Sequence, residues 1–187
     1  MNRWHRRFCT SDRWLEQVQE RLLPATFGAP GLDLRGRLLE LGPGPGATTQ
    51  WFLRRGARVT AVDIDAAAVE KLEQNVPGVT VQLADAGELP YADGTFDVVA
   101  SCTMLHHVRG VRHKDRLVRE AARVLAPDGW FCGFDTPGGI RMRLVHLGDD
   151  YDPVDPEWLH RALHAAGLVD VSVHTSARLI RFRGRRP

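Results

Sequence analysis

The residues best suited to chemistry lie in one bend and in the acidic and basic steps that follow it. Leu39-Glu40-Leu41 closes a short apolar run, and Gly42-Pro43-Gly44-Pro45-Gly46 follows directly. Alternating glycines permit positive φ and let a ligand approach the bare backbone. The prolines between them stiffen the bend. Glu40 stands just before the first glycine. Asp63 closes the next apolar run, about 20 residues on, where a ribose-binding acid would stand. Asp85-Ala86 follows a third run, Ser101-Cys102 ends a fourth, and His106-His107 comes shortly after. An imidazole titrates near neutrality and can act as a base, although such a pair equally suits a supporting role at a strand end.

Two cationic or anionic nucleosides compete for this bend. Gly42, Gly44 and Ala47 satisfy the dinucleotide fingerprint, with Asp63 as its ribose acid. The same residues suit S-adenosylmethionine. Glu40 favours the second ligand, because a carboxylate attracts ammonium and sulfonium charge and repels a pyrophosphate. Asp85 adds an acceptor for an adenine amino group. The stretch from Leu89 to Val99 then turns into a strand apolar enough to be buried on both faces.

The elements that must carry these residues alternate along the chain. Apolar runs predict strands at Arg37–Leu41, Arg58–Val62, Val79–Leu83, Phe96–Ala100, Trp130–Phe134, Val169–Val173 and Arg178–Phe182. Helices are expected after the glycine bend as far as Leu53, and over Ala66–Asn75, Lys114–Leu125 and Glu157–Ala166. Trp14, Val18 and Leu22, with Leu15 beside them, predict one N-terminal amphipathic helix that stops before Pro24. Alternation of strand and helix implies βαβ units. The expected fold is therefore α/β: a doubly wound, Rossmann-like, mostly parallel sheet of seven strands with helices on both faces. The last two strands, lacking a helix between them, should form an antiparallel hairpin. Residues 1–30 read as a helical segment whose Trp4, Phe8 and Trp14 either pack or cover the site as a lid. Residues 31–187 read as the ligand-binding domain.

Composition excludes several classes. The chain has 187 residues, 43% hydrophobic and 26% charged, which suits one globular core. Its net charge of +2 and lack of an aromatic-interleaved basic stripe argue against a nucleic-acid partner. No apolar run is long enough for a transmembrane helix, and no apolar segment follows the basic start as in a secretory signal. Cys9, Cys102 and Cys132 are odd in number and form no CxxC pair, so reduced thiols and a cytoplasmic address are expected. Of the remaining histidines, His5, His113, His146 and His174 show no convergent pattern. His160 and His164 share helical spacing, but without an HExxH glutamate they suit a solvated face. No metal site is expected. The arginines near both ends (Arg3, Arg6 and Arg7; Arg181, Arg183, Arg185 and Arg186) could meet a phosphate or a membrane surface, but read rather as solvated termini.

Taken together, Glu40 to Gly46, Val62-Asp63-Ile64, Ala84-Asp85-Ala86 with Leu89-Pro90, Phe96 to Val99, Leu105-His106-His107-Val108 and Arg123 to Gly129 resemble the class I S-adenosylmethionine-dependent methyltransferases. The likeness is greatest to the ubiquinone/menaquinone biosynthesis C-methyltransferase group, and it runs from about Arg37 to Asp135. It implies that the backbone of Gly42, Gly44 and Gly46 passes under the methionine part of the cofactor, with Glu40 near its amino group. It implies that Asp63 takes the ribose hydroxyls and that Ile64 lies against the adenine. Asp85 and Ala86 would meet the adenine edge, and Ser101 and Cys102 would line the methionine side. The sequence departs from the family at Asp128, where glycine is common. The implied activity is methyl transfer to a small-molecule acceptor, with His106 and His107 as the candidate bases. The short N-terminus and the short Thr136–Pro156 connection imply an acceptor pocket that is small or partly exposed, or one completed by a second subunit, as in a homodimer. An NAD(P)-dependent oxidoreductase and a non-catalytic S-adenosylmethionine-binding module remain the alternatives.

Overall fold

Strands whose side chains are apolar on both faces must be covered on both faces, and the chain supplies helices to each. The computed structural model describes residues 11–28, 31–148 and 150–187. Its strands are β1 (Arg37–Leu41), β2 (Arg58–Asp63), β3 (Thr80–Leu83), β4 (Phe96–Cys102), β5 (Leu125–Asp135), β6 (Val169–Thr175) and β7 (Ile180–Arg185). They form one sheet in the order β3-β2-β1-β4-β5-β7-β6. β1 to β5 are parallel, while β7 runs antiparallel to both β5 and β6. The doubly wound sheet with its C-terminal hairpin is thus as expected.

The helices are α1 (Asp12–Gln17), α2 (Leu23–Phe27), α3 (Ala47–Leu53), α4 (Ala66–Asn75), α5 (Val111–Val124), α6 (Ile140–Val145) and α7 (Pro156–Ala165). Alternation along the strands divides the core. Leu38, Val98, Ala100 and Cys132 pack with Val18, Phe27, Trp51 and Phe52 under the N-terminal helices and α3. Leu39, Leu41, Val99 and Phe131 pack with Leu117, Val118, Leu159 and Leu163 under α5 and α7. Phe27 meets Phe52 edge to face, with ring centroids 4.9 Å apart. This packing joins the N-terminal segment to the core beneath the sheet. Trp14 lies against the same cluster, so its packing role holds; Trp4 and Phe8 lie outside the described residues.

Three local expectations need correction. The N-terminal helix does not stop before Pro24. It widens over Val18–Leu22, where the Leu23 amide donates to the Val18 carbonyl, and continues as α2. The wider turn accommodates a ring that would otherwise press on the preceding turn, and places Pro24 where no amide donor is needed. β5 begins at Leu125 rather than Trp130, because Ala126 to Gly129 bulge out between the pairs Phe96–Leu125 and Val98–Trp130. Asp128 takes φ +62 in that bulge, which explains why glycine suits the position; it is remote from the carboxyl ends of the strands. Finally, the C-terminal arginines are not merely solvated. Arg185 pairs with Asp128 and Asp170, and Arg186 donates to the Arg123 and Leu125 carbonyls, so both clamp the bulge. Arg183 lies over the Trp130 ring.

Candidate functional site

Parallel pairing brings the carboxyl ends of the strands into line. Leu41 pairs with Val62 and Ser101, Asp63 with Leu83, and Cys102 with Phe134. The turns leaving these ends are pinned by backbone bonds: Gly42 donates to Val62 at 2.8 Å, Ala84 to Asp63 at 3.0 Å and Thr103 to Phe134 at 2.8 Å. Ligands of open α/β sheets bind beyond this edge.

The glycine bend is built for close approach. Gly42, Gly44 and Gly46 have φ of +62°, +54° and +87°, a region that costs other residues roughly 1–2 kcal/mol. A Cβ at Gly42 would collide with the Met104 side chain, and one at Gly46 would meet Leu72 and Val76. At Gly44 nothing lies within 4 Å. The outer glycines therefore seat the bend on the protein, and the middle one exposes backbone.

Glu40 lies beneath the bend and is 1% exposed. Its oxygens accept from the hydroxyls of Thr48 and, at 2.6 Å, Thr49, both in the first turn of α3. Burial pushes its carboxyl up to about 7, against the lowering pull of those two hydroxyls. Asp63 is half-buried. Its Oδ1 accepts from the Asp65 amide at 3.0 Å, and burial raises its carboxyl above the ordinary range. Ile64 beside it is 73% exposed, an apolar side chain at the carboxyl edge of the sheet. Asp85 accepts from the Gly87 amide at 2.7 Å and stands 3.7 Å from Arg116 of α5. Ala86 packs partly into the core. The Ser101 hydroxyl is buried and has no hydrogen-bond partner among the described residues. Cys102 packs in the layer beneath α3, and burial raises its thiol well above the ordinary value, which disfavours the thiolate.

The histidine pair sits in a single 3-10 turn, Leu105–His107, after β4. His106 is 2% exposed. Its Nδ1 lies 2.7 Å from Asp135 Oδ1, and its Nε2 lies 3.1 Å from His146 Nε2. Neither nitrogen is open to an acceptor's proton. His107 is part-exposed and is the better placed of the two. The reading that His146 stands apart is overturned: the α6 region folds over the ends of β4 and β5 and brings it to His106. Asp135, at the carboxyl end of β5, could have been suspected from that position alone. Thr48, Thr49 and His146 carried no comparable signal. His160 and His164 are exposed on α7, as expected.

Residues 39–133 match the model of a protein family described as a methyltransferase domain. The chain belongs to this methyltransferase family. The match contains the glycine bend, Asp63, Asp85 and the histidine pair, and it bears out the class I resemblance and, with it, S-adenosylmethionine as cofactor. The chain is 34% identical over 122 residues to the 27-O-demethylrifamycin SV methyltransferase of Amycolatopsis mediterranei, covering 62% of this chain and 44% of that protein. It is 30% identical over 145 residues to the ribosomal RNA small subunit methyltransferase C of Chromohalobacter salexigens, covering 75% and 38%. The methyltransferase chain thus spans about two fifths of the length of these relatives. Its fold resembles that of an S-adenosylmethionine-dependent methyltransferase from Mesorhizobium loti, with a TM-score of 0.65 and 20% identity over 81% of this chain and 91% of that one. The open backbone at Gly44, the unpartnered Ser101 hydroxyl and the apolar Ile64 fit the cofactor's methionine and adenine parts. No helix among the described residues is long and apolar enough to cross a membrane.

Proposed function

We propose that this methyltransferase acts on a small-molecule acceptor, and that residues 31–187 form its cofactor domain. The observation that carries the reading is the alignment of Gly44, Asp63, Asp85 and Ser101 along one sheet edge. In this reading the Gly42–Gly46 backbone seats the methionine part and Asp63 takes the ribose hydroxyls. Asp85 and Ala86 hold the adenine edge. Glu40 holds the bend through Thr48 and Thr49 and supplies negative charge beneath the sulfonium. The bound cofactor supplies an electrophilic methyl group. The protein's task is then to align a nucleophile with it, which accounts for most of the rate gain in such transfers.

The similarity to the rifamycin-modifying enzyme and the small net charge of +2 support a small acceptor over RNA. Release of S-adenosylhomocysteine, measured against a panel of hydroxyl, amine and carbon-acid acceptors and against 16S ribosomal RNA, tests this. Turnover with one of the small acceptors is expected. Turnover with RNA alone would overturn the acceptor class. Cofactor binding without turnover on any of them would leave a binding module.

A further inference from the structure

We propose that His106, His107 and His146 form a binding site for a divalent first-row transition metal ion such as Zn2+, with Asp135 as an outer partner. One ring nitrogen from each histidine lies within 4.8 Å of those of the other two. The closest pair, Nε2 of His106 and of His146, is 3.1 Å apart. Two ligand nitrogens at the usual metal–nitrogen length of about 2.0–2.1 Å would be separated by roughly 3.0–3.3 Å. His107 is part-exposed, and its ligand nitrogen lies within the same 4.8 Å.

The outer partners supply an independent argument. Each Nδ1 faces an oxygen: His106 faces Asp135 Oδ1 at 2.7 Å, His107 the Asp150 carbonyl at 2.9 Å and His146 the Met142 carbonyl at 2.8 Å. A carbonyl or carboxylate there only accepts, so each Nδ1 must carry the hydrogen and donate it. In His106 and His146 this turns the two Nε2 atoms toward each other. Metal-bound histidines are held this way, with the second nitrogen donating to a carboxylate or carbonyl. It also sets two lone pairs against each other at 3.1 Å between His106 and His146. A positive charge must lie there to make the contact favourable.

Asp135 is placed to orient His106 from outside the cluster. It is 1% exposed, its Oδ1 is shared between His106 and the Thr136 amide, and its Oδ2 has no hydrogen-bond partner among the described residues. Its only ion-pair partner among them is His106. Three nitrogen donors and an open position suit a borderline cation better than calcium or magnesium, which take oxygen ligands. A shared proton is the competing source of charge, and direct metal binding separates the two.

The untagged chain, stripped with a chelator and desalted, is titrated with Co2+ as the only added metal and without S-adenosylmethionine. The result therefore stands whether or not the methyltransferase reading holds. One equivalent of Co2+ should bind with visible absorption bands and be displaced by Zn2+. Affinity should fall at least about tenfold in His107→Ala and in His146→Ala, and about 10–100-fold in Asp135→Asn. The His160→Ala/His164→Ala double variant should bind as the unaltered chain does. His107→Ala removes only a part-exposed ring, so its fold, checked by circular dichroism, should persist. Absence of saturable binding would show that a proton holds the cluster and overturn the proposal. Binding that survives both His107→Ala and His146→Ala, or that is lost only in the α7 double variant, would overturn it equally.

Discussion

Replacing Glu40 by Gln should stabilise the fold at alkaline pH while impairing cofactor binding. The Glu40 carboxyl is raised by burial from 4.5 to about 7. In the unfolded chain it loses its proton near 4.5, whereas the folded protein keeps it until about pH 7. The unfolded state therefore binds fewer protons over that window, and stability falls as pH rises through it. At 1.36 kcal/mol per unit, the folded protein carries about 3 kcal/mol of cost above pH 7 that is absent below pH 4.5. Glutamine carries no charge at any of these values and can still meet Thr48 and Thr49. The melting temperature of Glu40→Gln relative to the unaltered chain should thus rise by about 6–12 °C between pH 4.5 and pH 8, since each kcal/mol shifts a chain of this size by about 2–4 °C. The cationic cofactor favours ionised Glu40, so added S-adenosylmethionine should raise the melting temperature of the unaltered chain more than that of the variant. Scanning fluorimetry across the pH series reads both effects. A difference between the two proteins that does not change with pH would refute the reasoning about a desolvated carboxylate beneath the bend.

Three further outcomes follow from the same edge and its support. Asp63→Ala should weaken cofactor binding by about 1–3 kcal/mol, the cost of losing a charged hydrogen-bond partner; unchanged affinity by calorimetry would show the ribose site to be elsewhere. Gly44→Ala, at φ +54 with open space above it, should cost roughly 1–2 kcal/mol of stability but abolish measurable cofactor binding, whereas Gly42→Ala should destabilise more through its collision with Met104; equal effects on both properties at the two positions would contradict the division of labour between the glycines. Arg123 ties Glu120, Asp93 and the Leu89 and Tyr91 carbonyls together, so Arg123→Ala should lower urea stability by about 1.5–3 kcal/mol, in line with losing charged hydrogen bonds; a loss below about 0.5 kcal/mol would mean that the network is solvent-compensated.

Much of this was legible in the order of residues, because local patterns determined it. The glycine bend, Asp63 and Asp85 each follow a strand of recognisable period, and the parallel order forces those strand ends to one side. The missing helix between Val173 and Arg178 announced the antiparallel hairpin. What escaped depends on contacts distant in sequence. Pro24 reads as a helix stop, and only the widened turn at Val18–Leu22 admits it. Arg185 and Arg186 read as a solvated tail until β7 inserts beside β5 and carries them to the Asp128 bulge. His146 lies 40 residues from His106, in a connection without strong periodicity, and no spacing rule could join them. Glu40 was singled out for its place before the bend, but its burial and its two threonine partners emerge only when α3 closes over β1.

Calorimetry with S-adenosylhomocysteine and, separately, NADH probes the central assignment most directly. A saturable one-to-one heat with the sulfur nucleoside, lost in Gly44→Ala, and none with NADH is the predicted result. Heat with NADH alone would mean that the bend cradles a pyrophosphate instead.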